Sequence, residues 1–287
     1  MHVVIIGSGP AGISAALYAR RSGADVTVVT KGGGALGSAA LIENFYGFPE
    51  PITGTELERR GIEGATRIGV RFEKDEAMAI LTTDGDRGFW IEGVRQCYEG
   101  DAVILAAGSQ RKIISVPGIR AFEGRGVSFC AICDAFFYRG KMVAVIGAGD
   151  YALHEAQILQ PHVSKISILT NGAEPSFDTT EGISVEKRSI SCIEGDRRVR
   201  QIVFDDGSQM PVDGIFMAIG TAGSVELARK LGVMLHEGAI LVGKEMETNV
   251  PGIYAAGDCT GGLLQIAKAV YEGATAGLAA VRYLRKQ

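Results

Sequence analysis

The sequence predicts an α/β protein of two three-layer domains, each built on a mostly parallel sheet. Three observations carry this expectation. At 287 residues the chain is longer than one ordinary core serves. A segment near the N-terminus repeats 140 residues further on. Each copy runs from a continuous apolar stretch through a Gly-rich turn into a helix-patterned segment.

The first copy sets a strand at Val3–Ile6, apolar throughout as a strand buried on both faces must be. The turn Gly7-Ser8-Gly9-Pro10-Ala11-Gly12 follows, then a helix, then a second strand at Val26–Val29. The second copy, Met142 to Thr170, sets strands at Val143–Ile146 and Ile166–Leu169 around its own turn and helix. Gly7 matches Gly147, Gly9 matches Gly149, and Gly12 matches Ala152. This is the context a Rossmann fingerprint requires. Gly7 permits the tight turn, Gly9 lets backbone N–H groups approach a pyrophosphate, and Gly12 lets the helix pack close to the strand. The helix N-terminus adds partial positive charge. Two copies in one chain point to two Rossmann-like, dinucleotide-type sites. Further strands are expected at Phe89–Ile91, Ala102–Leu105, Ile202–Phe204 and Gly214–Ile219, with a turn at Asp205–Ser208 and a last helix over roughly Leu264 to Leu284.

Hydrophobic residues make up 46% and charged residues 22%, the balance of a globular protein. The net charge of −4 carries no basic excess, which excludes a general nucleic-acid binder. No apolar run is long enough to span a bilayer. The apolar N-terminus lacks a basic leader and runs straight into Gly7-Ser8-Gly9, so it reads as a buried strand, and a cytoplasmic protein is expected.

There are five cysteines: Cys97, Cys130, Cys133, Cys192 and Cys259. Only Cys130-Ala131-Ile132-Cys133 has motif spacing. A structural zinc site needs four ligands, and with no second such pair and His2, His154, His162 and His236 scattered, no metal is expected. Two cysteines at this spacing close a small disulfide ring. A nearby helix start favours the thiolate, which is the nucleophile in thiol–disulfide exchange.

At this point the chain resembles the low-molecular-weight thioredoxin reductase family over nearly its whole length. The resemblance rests on Gly7–Gly12, Cys130–Asp134, Gly147–Ala152 and Gly252–Asp258, in that order, and on the stretch Ile42-Glu43-Asn44-Phe45-Tyr46-Gly47-Phe48-Pro49. It implies a discontinuous FAD-binding domain, residues 1–114 and 244–287, with an NAD(P)-type domain, residues 115–243, inserted and carrying the cysteine pair. It also implies a homodimer, a swivel of one domain against the other, and a thioredoxin-like protein as partner. FAD would be held at Gly7, Gly9 and Gly12, with Asn44 near the flavin, Asp258 at the ribityl or phosphate region and Gln265 by the ring. Cys133 would face the flavin, Cys130 would attack the substrate disulfide, and Asp134 would transfer the proton. A carboxyl group beside an apolar flavin suits a general acid.

Two departures shape the reading. The acid expected at the end of the strand after the first turn is absent, and Thr30-Lys31 stands there. The second site, Gly147, Gly149 and Ala152, lacks the basic cluster that NADPH users in the family carry. Ile166 to Glu186 holds no Lys or Arg and four acids, and Tyr151 occupies a small-residue position where a ring would crowd a pyrophosphate. NADPH, NADH with relaxed contacts, and reduced ferredoxin therefore all stand as donors, with ferredoxin at least level with NADPH. The chain also resembles the ferredoxin-dependent flavin thioredoxin reductases in its shortness, its missing basic cluster and its Cys259-Thr260-Gly261-Gly262 segment. The competing classes are a flavin electron shuttle like the ferredoxin–NADP oxidoreductases, and a non-catalytic redox-sensing flavoprotein.

Overall fold

The computed structural model describes all residues except 33, 84–87, 109–113, 179–180 and 221–222. The chain folds as two compact units: Met1–Gln110 with Gly223–Gln287, and Arg111–Ala222.

Along the first stretch of unit one, β1 (His2–Ile6), α1 (Pro10–Arg21) and β2 (Asp25–Thr30) form the first βαβ element. Helix α2 (Gly54–Arg67) and β3 (Arg71–Lys74) follow. An antiparallel meander, β4 (Ala77–Thr82), β5 (Phe89–Gly93) and β6 (Cys97–Gly100), leads into β7 (Ala102–Leu105).

Unit two begins with β8 (Val127–Ser128) and a single helical turn, α3 (Ala131–Asp134). The second βαβ element is β9 (Met142–Ile146), α4 (Asp150–Leu159) and β10 (Lys165–Leu169). Next come β11 (Ile183–Glu186), the meander β12 (Ile190–Gly195), β13 (Val199–Phe204) and β14 (Gln209–Pro211), and β15 (Gly214–Met217).

The chain then returns to unit one through α5 (Ser224–Lys230), the small pair β16 (Leu235–His236) and β17 (Ala239–Ile240), β18 (Ile253–Ala255) and α6 (Ile266–Leu284).

Each unit holds a five-stranded parallel sheet, ordered β18-β7-β1-β2-β3 in one and β11-β10-β9-β15-β8 in the other. The internal repeat extends to register. His2 pairs with Asp25 and Met142 with Lys165, the same pairing displaced by the same 140 residues. Each sheet has its own core: Val3, Ile5, Val26, Val28 and Ile104 pack under α1 and α6, while Ile146, Leu169, Ile202, Phe204 and Ile215 anchor unit two. Among the described residues no helix is long and apolar enough to cross a membrane.

The return point differs from the expected boundary at residue 244. Residues 223–243 cluster with unit one, because α5 packs on β4 and β17. Ser224 Oγ accepts the Ala107 N–H at 2.8 Å, and Lys230 Nζ donates to the Met78 carbonyl at 3.1 Å. These contacts are tertiary and leave no local mark in the sequence.

Candidate functional site

At the end of β1, Gly7 adopts φ +110°, and its N–H donates to the Val29 carbonyl at 2.9 Å. A Cβ on Gly7 would lie 2.6 Å from the Ala106 carbonyl oxygen, and one on Gly12 would lie 1.9 Å from that of Gly7. The two glycines thus seal turn, strand and helix together. Gly9 is different: a Cβ there would meet nothing within 4 Å. Gly9 is the N-cap of α1, with Pro10 in the first turn, no side-chain cap and no acid in that turn of the helix. The first N–H groups of α1 therefore face open space with their positive field unanswered, which fits the pyrophosphate of a dinucleotide.

Of the other expected residues, two meet. Asn44 Nδ2 donates to Gln265 Oε1 at 3.2 Å, joining two residues 221 positions apart. Gln265 is the N-cap of α6. Asp258 opens a short 3-10 turn after Gly257, which sits at φ +90°. That turn is pinned by two residues the sequence reading passed over. Lys268 Nζ donates to Gly257 O at 2.9 Å and Thr260 Oγ1 at 2.8 Å, while Glu272 accepts the Gly257 N–H at 2.8 Å. Their four-residue spacing on α6 was the available signal. Cys259 is wholly buried, and burial pushes its thiol up to about 12, so it stays a small apolar group.

The second turn is built differently. Gly147 keeps the matching bond, its N–H donating to Leu169 O at 3.0 Å, and its Cβ position is likewise blocked, by Ala218 O at 2.1 Å. The loop after β10 folds over the turn, with the Ser176 N–H bonded to Ala148 O at 2.9 Å. Ser176 Oγ and Gly220 O lie 3.9 and 3.6 Å from a Cβ on Gly149. Asp150 puts a carboxylate in the first turn of α4. Tyr151 lies in the first turn of α4 beside Ala152, and its side chain is buried, 2% exposed. The cations next in sequence are committed elsewhere: Lys187 pairs with Glu174, and Arg188 pairs with Glu186 and Asp206. The Arg188 hydrogen bond holds the Glu186 carboxyl below its ordinary value.

Cys130 and Cys133 form a disulfide, with Cα atoms 5.4 Å apart. Cys130 is the N-cap of α3, its Sγ accepting the Cys133 N–H at 3.2 Å. Its own N–H is bonded to Ser128 Oγ at 3.1 Å, and the Ala131 N–H is held by buried Glu155 at 2.9 Å. Cys130 is 3% exposed while Cys133 is exposed, a division the spacing alone does not reveal. Asp134 ends α3, half-buried. Beside the pair, Ile132, Phe136 and Phe137 are 47%, 69% and 66% exposed, and Arg139 stacks on Phe136. Among the described residues no His, Cys, Asp and Glu group is arranged to hold a metal ion.

Residues 1–273 match the family described as pyridine nucleotide-disulphide oxidoreductase. The chain belongs to that family. With its CxxC disulfide it is a flavoprotein disulfide reductase, a member with two nucleotide-binding-type α/β units. It is 32% identical to the thioredoxin reductase of Bacillus subtilis, over 99% of this chain and 95% of that one. Among solved structures, the atypical thioredoxin reductase from Desulfovibrio vulgaris Hildenborough is 39% identical at a TM-score of 0.93, covering 99% and 98% of the two chains. The ferredoxin-flavin thioredoxin reductase from Clostridium acetobutylicum is 31% identical at a TM-score of 0.71, covering 100% and 98%.

Proposed function

We propose that this family member reduces the disulfide of a thioredoxin-like protein through Cys130 and Cys133, uses FAD bound at Gly7, Gly9 and Gly12, and draws its electrons from reduced ferredoxin. The observation that carries the donor assignment is the second turn. The loop after β10 is bonded to it, Ser176 N–H to Ala148 O at 2.9 Å, and Asp150 adds an acid to the first turn of the helix whose N-terminus a pyrophosphate would need. Beyond the C-terminal ends of β10 and β11, the first cations in sequence, Lys187 and Arg188, are already paired with carboxylates.

FAD, when reduced, supplies two electrons at a time, matching one disulfide to two one-electron ferredoxin encounters. The electrons enter at the exposed Cys133 sulfur and the S–S bond breaks. The Cys133 N–H then holds the Cys130 thiolate, and Asp134 handles the proton. Cys130 attacks the partner disulfide, and Cys133 displaces the reduced partner, restoring the Cys130–Cys133 bond. Cys130 is buried, so it must emerge for that attack. Exposed Phe136 and Phe137 offer an apolar docking surface beside the pair.

The test is an anaerobic titration of the purified flavoprotein with reduced ferredoxin, NADPH and NADH. Reduced ferredoxin is expected to bleach the flavin band, with thioredoxin reduction lost in Cys130→Ser and in Cys133→Ser. Rapid stoichiometric bleaching by NADPH would overturn the donor assignment. Ferredoxin-linked nicotinamide reduction that survives loss of both cysteines would replace the reductase with an electron shuttle.

A further inference from the structure

The acid that usually holds the adenosine ribose at the end of the second strand is missing here, where Thr30 and Lys31 stand. Lys31 is committed to Glu76. A carboxylate nevertheless reaches this place from another element. Glu58, on α2, accepts a hydrogen bond from Ser8 Oγ at 2.8 Å. Ser8 sits inside the phosphate turn between Gly7 and Gly9, and its Oγ lies 2.8 Å from Thr30 Oγ1. The Gly32 N–H donates to that same Thr30 oxygen at 3.1 Å.

The proton directions in this chain are fixed by its end. An ionised carboxylate only accepts, so the single Ser8 hydrogen goes to Glu58. Thr30 must then donate to Ser8 while accepting from Gly32. Neither hydroxyl has a hydrogen left for a ligand, and Glu58 Oε2 remains as the acceptor. The cations on α2 do not quench it: Arg59 is held by Glu56 and Glu63, and Arg60 by Glu56. Helix α2 is brought close because Gly61 faces Ile13 of α1, where an added Cβ would lie 2.8 Å from Ile13 Cδ1.

We propose that Glu58 is the ribose ligand of the dinucleotide in unit one, standing in for the absent acid of β2. It accepts a hydroxyl of the adenosine ribose through Oε2, with Oε1 anchored by Ser8. This assignment rests on the FAD reading above and specifies it. It requires a ribose with a free hydroxyl at that corner, and the carboxylate repels a phosphate there.

The experiment uses apoprotein stripped of flavin and reconstituted with FAD or with its 2′-deoxyadenosine and 3′-deoxyadenosine analogues, Kd being read from flavin fluorescence quenching. Wild type is expected to bind at least one deoxy analogue about 10- to 100-fold more weakly than FAD, the scale of a hydrogen bond to a charged group. Glu58→Gln is expected to lose a similar factor for FAD and to discriminate far less against that analogue. Wild type that binds both analogues as tightly as FAD overturns the proposal, and this arm needs no folded variant. A Glu58→Gln protein that keeps full wild-type discrimination overturns it as well. Failure of wild type to bind FAD at all would instead sink the underlying flavin reading.

Discussion

Single residues in this protein divide into those that close the backbone and those that leave it open. Gly12 and Gly9 lie three positions apart in one turn, yet a Cβ on the first strikes the Gly7 carbonyl while one on the second meets nothing. Gly12→Ala is therefore expected to cost about 1–3 kcal/mol of stability through overpacking, read as a lowered thermal midpoint of the apoprotein. Gly9→Ala should leave that midpoint within about 0.5 kcal/mol of wild type and act only on FAD affinity. Equal losses for the two variants in the flavin-free protein would contradict the open cradle. The close packing at Gly7 and Gly12 was legible in the sequence because it follows from motif position. The role of Glu58 was not. It lies 28 residues beyond Thr30, on a different element, and only the Ser8 bond connects them. The bond from Ser176 back to Ala148 was hidden for the same reason.

At the scale of elements, both βαβ copies, their strand limits and the last helix were readable, because long buried strands and amphipathic helices carry periodic signals. Helix α2 was passed over, since its glycines at 54, 61 and 64 and its many charges weaken the apolar stripe. Its local signature was present: Thr53 accepts the Glu56 N–H at 3.2 Å, a Thr-x-x-Glu start. Thr53→Ala is expected to destabilise the protein by about 1 kcal/mol. The same variant should weaken FAD binding less than Glu58→Gln does, since it frays the helix start without removing the carboxylate. Urea denaturation and flavin quenching on that variant check both statements.

For the whole molecule, the repeat has produced two sheets of like register with two separate cores. The one tryptophan, Trp90, lies on β5 in unit one and reports that unit alone. Adding FAD at about 100 times its Kd should raise the Trp90-detected unfolding free energy by about 2.7 kcal/mol. The part of the far-UV circular dichroism transition due to unit two should stay where it was. A single transition that moves as one block under both probes would show that the cores do not unfold separately. The domain count was legible from length and repeat, whereas the return of residues 223–243 to unit one was not, because Ser224 and Lys230 make their bonds to distant backbone.

The sulfur of Cys130 caps α3 in the disulfide state, and it is also the atom that becomes the thiolate when that bond opens. In the disulfide state the Cys133 N–H is already aimed at that sulfur. The negative charge of the opened bond therefore forms against a donor in place, before Cys130 leaves the cap to reach its partner.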